Sequence, residues 1–280
     1  MIATVLLLLA VLQNTPAYGL PTPPASEAAL VSMAADTPTG PVIVASEAIT
    51  YYAFLPLIAG QLASCAPIPG VQYSTLDVDG PPTDRPAEQH ADLNLALRGY
   101  EATDAYRGLV DYGGNDDPKA PQLDSLFAEP RVPTFAGVYQ VYDWSWDCNC
   151  RGELLTQYEV TLAGMAVAPG EVLSLPDSGY NISSGYEALV LYASEERITL
   201  KYTREDNVVR GYTLHIENVC VEPGLLVLYR EMNEAGRVRL PALRTLQPFG
   251  RALGSEIGVA IRDAGTFMDP RSRRDWWQPR

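Results

Sequence analysis

Four cysteines, two histidines and one alternating row of aromatic residues hold most of the reactive or ligand-binding side chains in this 280-residue chain. Cys65, Cys148, Cys150 and Cys220 make an even count, which in an oxidising compartment allows two disulfides and three pairings. Only Asn149 separates Cys148 from Cys150, so a bridge between them closes a very small ring. The expectation is that each reaches a distant partner, one to Cys65 and the other to Cys220. A Cys-x-Cys pair with no second Cys or His pair nearby lacks the spacing of a zinc site, and no cofactor is expected.

Val138, Gln140, Tyr142, Trp144, Trp146 and Cys148 alternate with Tyr139, Val141, Asp143, Ser145 and Asp147, which places the first set on one face of a strand. Tyr142, Trp144 and Trp146 together make either a platform for sugar rings or an apolar wall between two layers. The polar opposite face and the cysteine on the aromatic face favour the wall. The second candidate is Tyr212-Thr-Leu-His215-Ile-Glu217. Alternation groups His215 with Thr213 and Glu217, away from Leu214 and Ile216. The expectation there is a solvent-facing or Glu-paired imidazole, with hydrogen bonding to a ligand as its functional reading.

The elements that must position these groups read as mainly β. Strands are expected at 160–162, 171–175, 188–192, 197–203, 208–219 and 257–262, separated by Pro-Gly, Asp-Ser-Gly and Ser-Ser-Gly turns. The Leu93/Leu95/Leu97 alternation in 90–100 also suits a strand. One helix is expected at about 223–235, with Pro223 in its first turn, Leu225, Leu226, Tyr229 and Met232 as its apolar stripe, and Gly236 at its end.

Residues 1–12 form an apolar run too short to cross a bilayer, and Ala17-Tyr18-Gly19 supplies small residues for cleavage. Residues 1–19 therefore read as a secretory signal. A Pro-rich linker at 20–41 precedes an acidic, β-rich region at 42–147 and a second β region at 148–280. The apolar stretch at 42–59 is broken by Glu47 and Pro56, so no integral membrane span is expected in the mature chain. The net charge is −14, and 20–147 carries 17 acidic against 5 basic residues. Such a surface repels phosphate backbones, which sets nucleic-acid binding aside.

Gln247-Pro-Phe-Gly-Arg-Ala-Leu-Gly254-Ser-Glu256-Ile-Gly258-Val-Ala-Ile-Arg262-Asp-Ala-Gly265-Thr-Phe-Met-Asp269-Pro270 resembles the end of the lysostaphin-type zinc endopeptidase domain. In that family a Gly-rich turn leads into a His-x-His strand, an Arg and a turn ending in Asp-Pro. Ala168-Pro-Gly170 through Gly179 is similar to its early Pro-Gly strand, and the likeness spans about residues 158 to 270. The resemblance implies a lysostaphin-like β-barrel or sandwich in the C-terminal half, with the helix at 223–235 as an insertion. It also implies zinc held by an early His and Asp and the late His pair. Here Glu256 and Gly258 stand at the late positions, and the early ones fall near Thr161 and Gly164. A catalytic zinc needs three protein ligands, so the expectation is a domain without its zinc.

No Gly-x-Ser-x-Gly elbow, P-loop or dinucleotide fingerprint occurs. Asp77-Val-Asp79-Gly80-Pro-Pro-Thr-Asp84 opens like a calcium loop but lacks the ligand at position five and the closing Glu. The sequence thus points to a non-catalytic exported binding or structural protein of the cell envelope, taking cell-wall glycan or an envelope protein as partner. Its alternative is a secreted hydrolase acting through carboxylates that spacing alone does not single out.

Overall fold

The computed structural model describes residues 65–112 and 117–278. The expected signal (1–19), the linker (20–41) and the apolar stretch (42–59) lie outside the described residues. Antiparallel strands dominate. In chain order the elements are β1 (Ser74–Asp77), α1 (Leu95–Arg98), β2 (Tyr100–Ala102), β3 (Phe135–Ser145), β4 (Cys150–Leu154), β5 (Leu162–Ala166), β6 (Val172–Ser174), β7 (Ala188–Ala193) and β8 (Arg197–Lys201). There follow β9 (Tyr212–Glu217), β10 (Val219–Val221), α2 (Pro223–Glu234), β11 (Arg239–Leu243), β12 (Pro248–Ala252), β13 (Glu256–Asp263), β14 (Thr266–Met268) and α3 (Arg273–Trp276).

Eleven strands form one sheet in the order β1-β11-β7-β8-β9-β13-β5-β3-β2, with β14 also on β13 and β4 on β3. The β10-β12-β6 trio makes a second sheet. A single apolar cluster draws on both, joining Leu214, Ile216 and Val259 from the large sheet to Val219, Phe249 and Leu173 from the small one. Two sheets facing one apolar layer match the expected sandwich-like β class. The expected barrel does not form: among the described residues β1 and β2 end the large sheet without pairing to each other. Because β1 pairs with β11 and β3 with β5, region 42–147 contributes strands to the same sheet as region 148–280. No helix among the described residues is long and apolar enough to cross a membrane.

Register decides what each face carries. In β9, His215 lies opposite Thr199 of β8 and Ala260 of β13, while Thr213 lies opposite Lys201 and Arg262. One face of the sheet is thus aliphatic and the other collects Thr199, Lys201, Thr213, His215, Glu217 and Arg262, all buried. The segment 87–100 covers this polar face, which corrects the expectation of a solvent-facing His215. It also corrects the strand expected at 90–100. Leu93 packs into the main cluster and Leu95 into a second one with Val141, Leu162 and Phe267, so the chain turns between them through α1. Asn94 caps that turn by accepting from the Ala96 N–H, and Gly99 ends it at φ 69°.

Helix α2 forms where expected. Glu222 accepts from the Leu225 N–H at 3.0 Å, Pro223 opens the first turn and Gly236 follows at φ 90°. The cysteine pairing differs from expectation. Cys65 joins Cys220 of β10, and Cys148 joins Cys150. Asn149, at φ 50° in the left-handed region that Asn tolerates, turns the chain tightly enough to bring the two together.

Candidate functional site

The β3–β4 hairpin carries the aromatic row beyond the body of the sheet. A register shift between Phe135 and Gly137 and another between Tyr142 and Trp144 bend it. Trp146 is 43% exposed and Trp144 is half-buried, so neither forms the core wall that alternation favoured. Their rings meet edge to face with centroids 6.3 Å apart. Tyr142 is engaged elsewhere, its hydroxyl donating to Glu101 and its ring lying 5.0 Å from the Arg151 guanidinium.

Facing Trp146 is the segment 81–92. The His90 ring meets the indole edge to face at 5.1 Å, and the Arg85 guanidinium lies over the indole at 4.7 Å. Arg85 also donates to Asn149 Oδ1 at 2.8 Å, tying this segment to the hairpin tip. His90 Nδ1 accepts from the Asp92 N–H at 3.1 Å. The ring proton therefore sits on Nε2, 3.6 Å from Asp84 Oδ1. Burial lowers the His90 pKa, which keeps the ring neutral at pH 7, and the hydrogen bond from Arg85 lowers that of Asp84. The far wall is anchored by Asp206, which takes two 2.7 Å bonds from Arg237 and one of 2.9 Å from the Thr83 N–H.

Together these groups enclose a cleft of about 400 Å³ lined by Thr83, Asp84, Arg85, His90, Trp146 and Asn207 among others. The Thr83 hydroxyl is buried there without a hydrogen-bond partner. A buried polar atom left unpaired is unfavourable by roughly 1–3 kcal/mol. Chemically, the cleft offers an aromatic face, a neutral imidazole, the carboxylates of Asp84, Asp92 and Asp206, one guanidinium and the Asn207 amide. Of the residues singled out in the sequence, the structure places Trp146 in the cleft, with Trp144 behind it in ring contact. It places Tyr142, His215 and Glu217 elsewhere. Thr83, Arg85 and His90 were missed because nothing in their spacing connects 83–90 to 146; the aromatic row was the one usable signal.

His215 is wholly inside the protein. Thr199 Oγ1 donates to the Leu93 carbonyl at 2.6 Å, so the His215 Nδ1–H must donate to Thr199 at 3.0 Å. Nε2 is left as a buried acceptor without a partner, and the ring stacks on Phe267 at 5.9 Å. Burial holds this imidazole well below the usual histidine range. Glu217 pairs with Arg197 Nε at 3.0 Å, and burial raises its carboxyl.

Of the positions matched to the zinc peptidase motif, Glu256, Gly258 and Gly164 share one face of the sheet. Glu256 accepts from the Tyr139 hydroxyl at 2.9 Å. Gly258 faces Gly164 on one side and Glu217 on the other, with Leu162 and Glu217 closing the space a side chain would fill. Thr161 accepts from the Val141 N–H at 2.8 Å. Among the described residues no three of His, Cys, Asp and Glu come together as a metal-holding group. In the calcium-like loop, Asp77, Asp79 and Asp84 each take a different arginine, namely Arg239, Arg204 and Arg85.

In the wall of the cleft, Asp92 bridges two further cations. Its Oδ1 accepts from Arg98 Nη2 and from Arg262 Nη1, both at 2.8 Å. Comparison with protein-family models, with curated proteins and with solved structures gave no match for this chain.

Proposed function

We propose that this chain is an extracytoplasmic binding protein that holds a neutral glycan, such as a cell-wall polysaccharide segment, in the Trp146 cleft. In this reading the lysostaphin-like segment is a scaffold that does no zinc hydrolysis. The observation that carries it is an exposed indole lining a cleft whose other walls are mostly polar side chains. A sugar ring offers a face of C–H groups, which suits the negative face of an indole, and a rim of hydroxyls. Those hydroxyls match the donors and acceptors of Asp84, Arg85 and Asn207. A neutral His90 adds one more donor without demanding a charged ligand. The Cys65–Cys220 bridge is compatible with an oxidising compartment, where such glycans are found.

Retention on insoluble cell-wall polysaccharide tests the reading. The purified chain should bind the resin and elute with soluble oligosaccharide of the same linkage. Passage without retention on cell-wall, chitin and β-glucan resins alike would sink it.

A further inference from the structure

Arg98, at the end of α1, and Arg262, in β13, are 4% and 5% exposed, yet the carboxylate shared between them is the half-buried Asp92 alone. The second acid near Arg98 is Asp143, 63% exposed at its side chain and 3.4 Å away. Arg98 otherwise donates from Nε to the Ala91 carbonyl at 3.1 Å and from Nη1 to the Tyr142 carbonyl at 3.3 Å. Arg262 gives Nε and Nη2 to the Gly265 carbonyl. A guanidinium has five N–H donors. Arg262 therefore keeps one N–H on each terminal nitrogen, and Arg98 keeps one on Nη2, with no acceptor among the described residues.

These donors border a cleft of about 230 Å³ lined by Arg98, Arg262, Phe267, Thr161, Gln157 and Thr266 among others. The Phe267 ring lies 4.6 Å from one guanidinium and 5.5 Å from the other. The Thr161 hydroxyl accepts from the Val141 N–H, and its own hydrogen has no acceptor among the described residues. Burial pushes the Arg262 pKa below its ordinary value, and Asp92 only partly offsets this. Asp92 and Asp143 balance the two guanidinium charges, so what the cleft offers an anion is the set of N–H donors left over.

We propose that this cleft binds a carboxylate, the planar group whose two oxygens match the fork of a guanidinium. A liquid water occupies about 30 Å³, so the cleft has room for a carboxylate and a short stem. The site is separate from the Trp146 cleft, since Asp92 stands between the two, and either can fail without the other.

The test is calorimetric titration of the full chain with acetate and, in parallel, with sulfate, at fixed ionic strength. One saturable acetate site per chain is expected. Asp143→Asn should tighten it by about tenfold, because it removes the carboxylate that competes for Arg98. A purely structural Arg–Asp–Arg cluster gives no such gain, and a misfolded variant cannot imitate one. Arg98→Gln should abolish binding, while Trp146→Ala should leave it unchanged. No saturable heat with either the parent chain or Asp143→Asn would overturn the proposal. So would an affinity that Asp143→Asn does not change, or sulfate binding tighter than acetate.

Discussion

The indole of Trp146 and the imidazole of His90 meet edge to face, with centroids 5.1 Å apart and planes at 67°. That contact joins the tip of the β3–β4 hairpin to a segment distant in sequence, and it forms one side of the proposed glycan cleft. Because Trp146 stays 43% exposed, the contact organises a surface and does little to fill the core. Trp146→Ala should therefore lower stability by about 1 kcal/mol or less. Trp276→Ala, at 2% exposure with its indole N–H bonded to the Asp269 carbonyl at 2.8 Å, should cost about 3–5 kcal/mol. Chemical denaturation of the two variants checks the contrast.

Asp92 supports the polar face through acid–base chemistry. Burial alone would raise its carboxyl, but Arg262 and Arg98 outweigh that and bring it down to about 2. A folded value below the unfolded one contributes stability that is present above about pH 4 and lost as pH falls towards 2. By linkage the size is about 2 kcal/mol. Asp92→Asn should cost about 3–5 kcal/mol near neutrality, since it leaves two buried cations without their carboxylate. Its deficit relative to the parent should shrink as pH drops through that window, as read by urea unfolding at several pH values.

Lys201 shifts in the same direction, so stability again rises with pH, but at neutral pH its contribution is unfavourable. It is fully enclosed, and burial brings its ammonium down to about 8 from 10.5. The unfolded chain then binds more protons between pH 8 and 10.5, so the burial penalty is full below pH 8 and fades as pH rises through that range. Lys201→Met should stabilise the protein at pH 7 by about 1–3 kcal/mol, after allowing for the lost bonds to the Arg210 and Gly211 carbonyls. That advantage should narrow towards pH 10.

The two disulfides should differ in stabilising effect. Cys65–Cys220 closes a loop with a sequence separation of 155, and Cys148–Cys150 one of 2. On the chain-entropy estimate the first contributes about 5 kcal/mol and the second about 1–2 kcal/mol. Paired serine substitution at 148 and 150 should lower Tm by only a few degrees, about 2–8 °C, whereas the same change at 65 and 220 should lower it by about 10–20 °C.

Much of the β framework was legible in the sequence. Alternation located the strands around 188–192, 197–201 and 257–262, and capping signals placed α2, because those patterns are set locally. Alternation also grouped His215 with Thr213 and Glu217 correctly. It could not say that a covering segment at 87–100 would bury that polar face, since a strand pattern reports sides and not what lies over them. The same limit misplaced Trp144 and Trp146. Their face continues that of Val138, but two bulges bend the hairpin that carries them. The Cys148–Cys150 bridge was disfavoured on ring size, and the left-handed turn at Asn149 that permits it is a single-residue conformation. The cleft partners of Trp146 lie far from it in the chain, where spacing carries no information.

The most direct test of the central claim is the affinity of the parent chain and of Trp146→Ala for one soluble cell-wall oligosaccharide, measured by isothermal titration calorimetry near pH 7.5. Loss of a principal aromatic contact corresponds to about 2 kcal/mol or more, or about thirtyfold in Kd. The account predicts saturable binding by the parent and a loss of at least that size in a Trp146→Ala protein that unfolds at nearly the parent's Tm. Equal affinities for the two proteins would contradict it.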